Sequence, residues 1–188
     1  MSYLVLLSIL FLSSHCIAKP IASKERELPK GWHTSGSKPG SYSMGLDENR
    51  SPDNSRPATI ESVDKLINGF GTLMRNIPAD SFRGKKVRMS GFMRSEHVER
   101  WAGFWLRIDC AGEERYTADD KRKGEFDNMS NRSVKGTTGW KEYEVVLYVH
   151  PTASNIAFGA LLNGTGQVWF DKVKLEIVAD DVPSTNMR

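Results

Sequence analysis

The chain has 188 residues, of which 39% are hydrophobic and 26% charged, with a formal net charge of +3. That length and apolar content suit one domain with its own core and exclude a disordered chain. So mild a basic excess gives no electrostatic reason to meet nucleic acid.

In chain order, Ser2 to Ala18 carries no Asp, Glu, Lys or Arg and centres on an apolar run from Leu4 to Leu12, broken only by Ser8. The run is short for a membrane span of about 20 residues and fits a secretory signal peptide, residues 1–18, with cleavage before Lys19. Export to the periplasm or the outside follows, with no stable membrane span after its removal. A lipoprotein is disfavoured because His15 stands before Cys16, where a small residue is needed. The mature chain then keeps 170 of 188 residues, all of the net charge and one cysteine, Cys110, read as a buried free thiol. A disulfide framework is excluded, so packing must supply the stability.

Residues 19–57 are rich in Lys, Ser, Gly, Pro and Asn, with apolar islands at Leu28 to His33 and Tyr42 to Leu46. This reads as an exposed lead-in with short edge strands. Residues 58–179 form the expected body of the single domain, and 180–188 a tail. Ala58 to Leu66 satisfies either a strand or a helical turn, and Thr72 to Ile77 is extended up to Pro78. From Lys85 the pattern is clear: Val87, Met89, Gly91 and Met93 alternate with Arg88, Ser90, Phe92 and Arg94, a strand followed by a predicted turn at Ser95 to Arg100.

The next strand, Trp101 to Asp109, is the most informative stretch. Alternation sends Ala102, Phe104, Leu106 and Ile108 to one face, a plain core face. Trp101, Gly103, Trp105, Arg107 and Asp109 share the other, mixing ring surface with a fixed cation and an anion. A charged loop follows from Gly112 to Glu125 and reads as solvated. Trp140 to Val149 places Tyr143, Val145, Leu147 and Val149 on one face. Ile156 to Leu162 and Gln167 to Val178 are two further strands, with Asn163, Gly164, Thr165 and Gly166 between them as a tight hairpin. The expected fold class is all-β, two packed antiparallel sheets.

The segments GKKVRMSGF from Gly84, GTTGWKEYEVV from Gly136 and GQVWFDKVKLE from Gly166 resemble the carbohydrate-binding jelly rolls of the galactose-binding-like superfamily. The resemblance covers most of the mature chain and implies a jelly-roll β-sandwich and a sugar-type ligand. More closely, WAGFWLRID, FDNM and FGALLNGTGQVW resemble a bacterial domain of unsettled function sometimes attached to AraC-type transcription regulators. It implies no catalytic role, and the regulator association would concern ligand sensing.

Sugars bind through aromatic stacking on their C–H faces and polar contacts to hydroxyls, so the candidate ligand residues are Trp101, Trp105, Arg107, Asp109, Asn128, Arg132, Trp140 and Trp169. Each has a competing structural reading. Trp140 and Trp169 are equally expected in a core, and Arg107 with Asp109, or with Asp127, makes sense as a structural ion pair. Asp171 bonds a loop backbone or, as the lesser alternative, helps hold a structural calcium ion. No other cofactor is expected.

Catalysis finds little support. Glu142 and Glu144 share a strand face, but solvent-facing Glu is ordinary on antiparallel sheets. GxSxG, HExxH and GxxxxGK[ST] are absent, and His33, His97 and His150 show no metal-ligand spacing. The basic runs Arg83 to Arg88 and Lys121 to Lys123 match no nucleic-acid motif. Sequons at Asn49, Asn128, Asn131 and Asn163 matter only in a glycosylating secretory pathway. The function read from the sequence is an exported, non-catalytic module for a carbohydrate or related polar ligand. A structural or protein-interaction sandwich is the alternative, with a jelly-roll glycosidase or lyase behind it.

Overall fold

The computed structural model describes residues 25–49, 54–110 and 125–186. The expected signal peptide and the charged loop up to residue 124 lie outside the described residues. Among them are nine strands: β1 (His33–Gly36), β2 (Tyr42–Leu46), β3 (Ala58–Ser62), β4 (Phe70–Pro78), β5 (Lys86–Cys110), β6 (Phe126–Asp127), β7 (Val134–Tyr148), β8 (Ala153–Asn163) and β9 (Gln167–Val178). Two short 3-10 turns, Pro39–Ser41 and Asp80–Phe82, complete the elements, so no helix among the described residues is long and apolar enough to cross a membrane.

Strand β5 is 25 residues long and belongs to both layers of the sandwich. Its first half, Lys86 to Glu96, lies between β7 and β9, and β9 continues to β3 and β2. Its second half, Trp101 to Cys110, pairs with β8, which continues to β4 and β1, while β6 pairs on the other side. All of these pairings are antiparallel, and the result is a jelly-roll β-sandwich.

Two expectations are corrected here. The turn at Ser95 to Arg100 is continuous strand, with register shifts against β7 between Met93 and Ser95, Ser95 and Val98, and Val98 and Ala102. Bulges of this kind bend and twist a strand without ending it, which is how β5 passes from one layer to the other. The segment from Asn163 to Gly166 is not a hairpin. β8 and β9 pair with different halves of β5, so the turn carries the chain across the gap between layers. Its glycines still adopt the positive φ values their positions demand, 77° at Gly164 and 118° at Gly166. A Cβ at Gly166 would lie 2.6 Å from the His97 carbonyl oxygen, so only glycine lets this turn rest on the bulged part of β5.

The core lies between the layers. Ala102, Phe104, Leu106 and Ile108 are at most 1% exposed, as the alternation predicts. They pack with Leu73, Val87, Met89, Val145, Leu147, Ile156 and Leu162 in one cluster. Phe104 meets Phe170 of the opposite layer edge-on at 6.1 Å. Burying each large side chain contributes about 1.5–3 kcal/mol, which is how the fold holds without a cross-link. Cys110, expected to be buried, is partly exposed because it ends β5 at the margin of the core.

Tyr42 fastens β2 to this arrangement. Its hydroxyl is within hydrogen-bonding distance of the carbonyl oxygens of Gly164 (2.9 Å) and Gly69 (3.1 Å), and shares its one proton between them. Burial pushes the phenol up to about 12, only partly offset by the Gly164 backbone and nearby Arg100. Because the folded value exceeds the ordinary one near 10, the stabilisation is complete below about pH 10 and disappears as pH rises through about 12. Chemical unfolding measured between these values should show wild-type stability falling, and Tyr42→Phe should make that fall smaller. Identical slopes in the two proteins would contradict the assignment.

Candidate ligand-binding site

Opposite the core, the outer face of β4, β8 and the second half of β5 carries a cavity of about 600 Å³. Strand register builds it row by row. Phe70, Asn163 and Trp101 stand side by side, then Thr72, Leu161 and Gly103, then Met74, Gly159 and Trp105, then Asn76, Ala157 and Arg107. Ser35 and Ser37 border it from β1 and its exit, and Phe126 and Asn128 from β6 and the turn beyond.

Trp105 is the floor of the cavity. It is 6% exposed and packs with Met74, Ala157 and Leu161, and its Nε1–H donates to Thr72 Oγ1 at 2.8 Å. Thr72 in turn donates to the Ala160 carbonyl at 2.7 Å, so the indole is locked by a buried polar chain. Trp101, Phe70 and Phe126 are only partly buried against this cluster and keep ring surface available.

Beyond Trp105 the face turns polar. Arg107 donates from Nε and Nη2 to the two carboxylate oxygens of Asp109 at 2.7 and 3.1 Å, a bidentate pair. Asn155 Nδ2 donates to Asp109 at 2.8 Å and to Asn76 Oδ1 at 3.2 Å. Of the two partners considered for Arg107, the structure selects Asp109. The side chains are 44% and 35% exposed, so the pair costs little desolvation and contributes under about 1 kcal/mol to stability.

Arg132 does not line the cavity. It clasps Asp127 through Nη1 at 3.2 Å and Nη2 at 2.8 Å, and Nη2 also reaches the Glu144 carbonyl. Asp127 accepts the Met129 backbone N–H at 2.8 Å as well, which fixes the turn that presents Asn128. That turn crosses β5 at Gly103, where a Cβ would come within 3.1 Å of Met129 Cβ and 3.3 Å of the Asn128 carbonyl oxygen.

Trp140 and Trp169 are on the other layer and take no part in this cavity. Between the core residues Val168 and Phe170, Trp169 points outward and donates from Nε1 to Asp47 at 2.6 Å. The Arg94 guanidinium lies 3.7 Å from the Trp169 ring centroid and 5.9 Å from that of Trp140. Arg26 is 7% exposed in its side chain and bonds Ser43 and Glu61, so the lead-in is exposed only in part. Asp171 accepts the Lys172 backbone N–H at 2.7 Å and the Ser55 hydroxyl. Among the described residues no three His, Cys, Asp or Glu side chains group as a metal site.

The basic residues Arg83, Lys86 and Arg88 have structural partners among the described residues. Arg83 bonds Asp80 and the Ala153 carbonyl, Lys86 the carbonyls of Asp180 and Val182, and Arg88 both Glu176 and Glu144. Arg88 holds the Glu176 carboxyl below its ordinary range by hydrogen bonding. Phe70, Thr72, Met74, Phe126, Leu161 and Asn163 complete the cavity without having been candidate ligand residues. The one available signal was in β4, where Phe70, Thr72 and Met74 alternate with Gly71 and Leu73 as a strand with two apolar faces.

No family model matches the chain. A curated relative, the "Uncharacterized HTH-type transcriptional regulator YbfP" of Bacillus subtilis (strain 168), is 40% identical over 159 residues, which is 84% of this chain and 51% of the regulator. The chain therefore spans about half the length of that relative. Its name supplies the helix-turn-helix association and not the AraC class expected from the sequence. Among solved structures, the CBM22-1 xylan-binding domain of Xyn10C from Paenibacillus barcinonensis superposes with a TM-score of 0.53 at 11% identity, over 82% of this chain and 90% of that one. The Stig cyclase Fisc from Fischerella sp. TAU, in complex with an indole derivative, gives 0.54 at 13% identity, over 81% and 87%. The fold is that of the jelly-roll carbohydrate-binding modules, and the same fold also serves a cyclase.

Proposed function

We propose that the chain is a ligand-binding jelly roll whose outer-face cavity holds a carbohydrate. The observation that carries this reading is the arrangement along β5, with ring surface at Trp101 leading over the Trp105 floor to the Arg107, Asp109 and Asn155 group. Sugar rings have apolar C–H faces and hydroxyl edges, and this order of surfaces answers both. A volume of about 600 Å³ lies within the usual range for small-ligand sites. The xylan-binding neighbour lends support at the level of fold, and the regulator relative adds a sensing role, in which occupancy is the signal. Export rests on the sequence of Ser2 to Ala18 alone.

The polar end supports binding rather than hydrolysis. Hydrolysis by the common glycosidase mechanism uses two carboxyl groups flanking the bond, whereas no Asp or Glu is among the described residues lining the cavity, and Asp109 beside them is held by Arg107. A glycan array followed by calorimetric titration of the best hit tests the proposal. Specific binding to at least one oligosaccharide is expected. Arg107→Ala should leave the melting temperature nearly unchanged while affinity falls by about 1–3 kcal/mol, the scale of a lost charged hydrogen bond. Blank arrays with a folded protein would turn the reading towards a protein-interaction sandwich.

A further inference from the structure

We infer that the ligand is an uncharged oligosaccharide laid along β5, and that Asp109 is the residue that excludes acidic sugars. The inference rests on the carbohydrate reading of the cavity and concerns which sugars it admits. Among the described residues lining the cavity, Arg107 is the one charged side chain. Its charge is already balanced, since Nε and Nη2 both donate to Asp109. Asn155 holds the same carboxylate at 2.8 Å and so keeps it aimed at the arginine.

A uronate or sialate carboxylate reaching the outer N–H groups of Arg107 would therefore find an arginine whose charge is already neutralised, and would meet the negative charge of Asp109 on arrival. A hydroxyl faces no such penalty, because it can accept from the remaining guanidinium N–H or donate to the carboxylate. The other polar side chains among the described residues lining the cavity are neutral: Ser35, Ser37, Thr72, Asn128 and Asn163. From Trp101 to Arg107 the strand runs roughly 20 Å at its ordinary rise, a span of several sugar rings rather than one. The pairing thus serves as a charge filter built into the wall that also supplies the hydrogen bonds.

The test is titration of the folded protein with neutral hexaoses of xylose, glucose, mannose and galactose and with hexagalacturonate, at low and high salt. Wild type should bind at least one neutral hexaose with little salt dependence and hexagalacturonate at least about tenfold more weakly. Asp109→Asn, which keeps the shape and removes the charge, should shift that ratio towards the acidic sugar by about tenfold or more. A melting curve confirms that the variant is folded. Tighter, salt-sensitive binding of hexagalacturonate by wild type would overturn the inference and leave the carbohydrate reading standing, and so would an Asp109→Asn ratio equal to that of wild type. Absence of binding to every glycan would remove the carbohydrate reading itself.

Discussion

Trp105→Ala is expected to lower stability by about 4 kcal/mol, within the range found when a buried tryptophan is cut to alanine. The ring is 6% exposed and lies on Met74, Ala157 and Leu161, so its removal leaves a void that a sheet of paired strands has little freedom to close. It also deprives Thr72 of the donor at 2.8 Å. Trp101→Ala should behave differently. That side chain is only partly buried at the edge of the same cluster, and its loss should cost about 1 kcal/mol or less while abolishing ligand binding. Urea unfolding of the two variants side by side separates floor from wall. A Trp105→Ala protein as stable as Trp101→Ala would show that the floor is misassigned.

The second large effect is expected at Arg132. Its partner Asp127 is 3% exposed in the side chain, and removal of the guanidinium strands a buried carboxylate. Breaking such pairs costs about 3–5 kcal/mol, and the lower end applies here because the Met129 N–H still answers one oxygen. Arg132→Lys should recover only part, since a single ammonium does not reproduce the forked contact. The double variant Arg132→Ala with Asp127→Ala should be more stable than Arg132→Ala alone, because no charge is then left without a partner. Equilibrium unfolding of wild type, Arg132→Ala, Asp127→Ala and the double variant gives the coupling directly, and strictly additive losses would show that the pair does not hold this turn.

The core of the molecule was legible because a strand has a period of two. Once Ala102, Phe104, Leu106 and Ile108 define a uniformly apolar face, Trp101, Trp105 and Arg107 must point the other way. The same argument applied to Trp169 places it outward as well, but it does not say on which layer. That depends on pairings between residues far apart in sequence, Arg94 with Trp169 in one layer and Trp105 with Gly159 in the other. One set of outward tryptophans therefore split into two surfaces. The Asn163 to Gly166 turn misled for a related reason, since its glycines need positive φ whether they join paired strands or cross between layers. The polar stretch from Ser95 to Arg100 has the composition of a turn, and only its contacts with β7 and β9 keep it extended. Asn155 enters the site solely through its register with Asp109. Arg132 left it because Asp127, five residues earlier, is the nearer and more deeply buried anion.

The placement of the site can be read most directly from the indole N–H signals in a two-dimensional proton–nitrogen spectrum, because, of the five tryptophans, two line the cavity and two lie on the opposite layer. Titrating the best neutral oligosaccharide into the labelled protein should move the Trp101 and Trp105 signals together, with the binding constant found by calorimetry. The Trp140 and Trp169 signals, on the opposite layer around Arg94, should stay where they are. Shifts confined to Trp140 and Trp169, with Trp101 and Trp105 unmoved, would contradict the account.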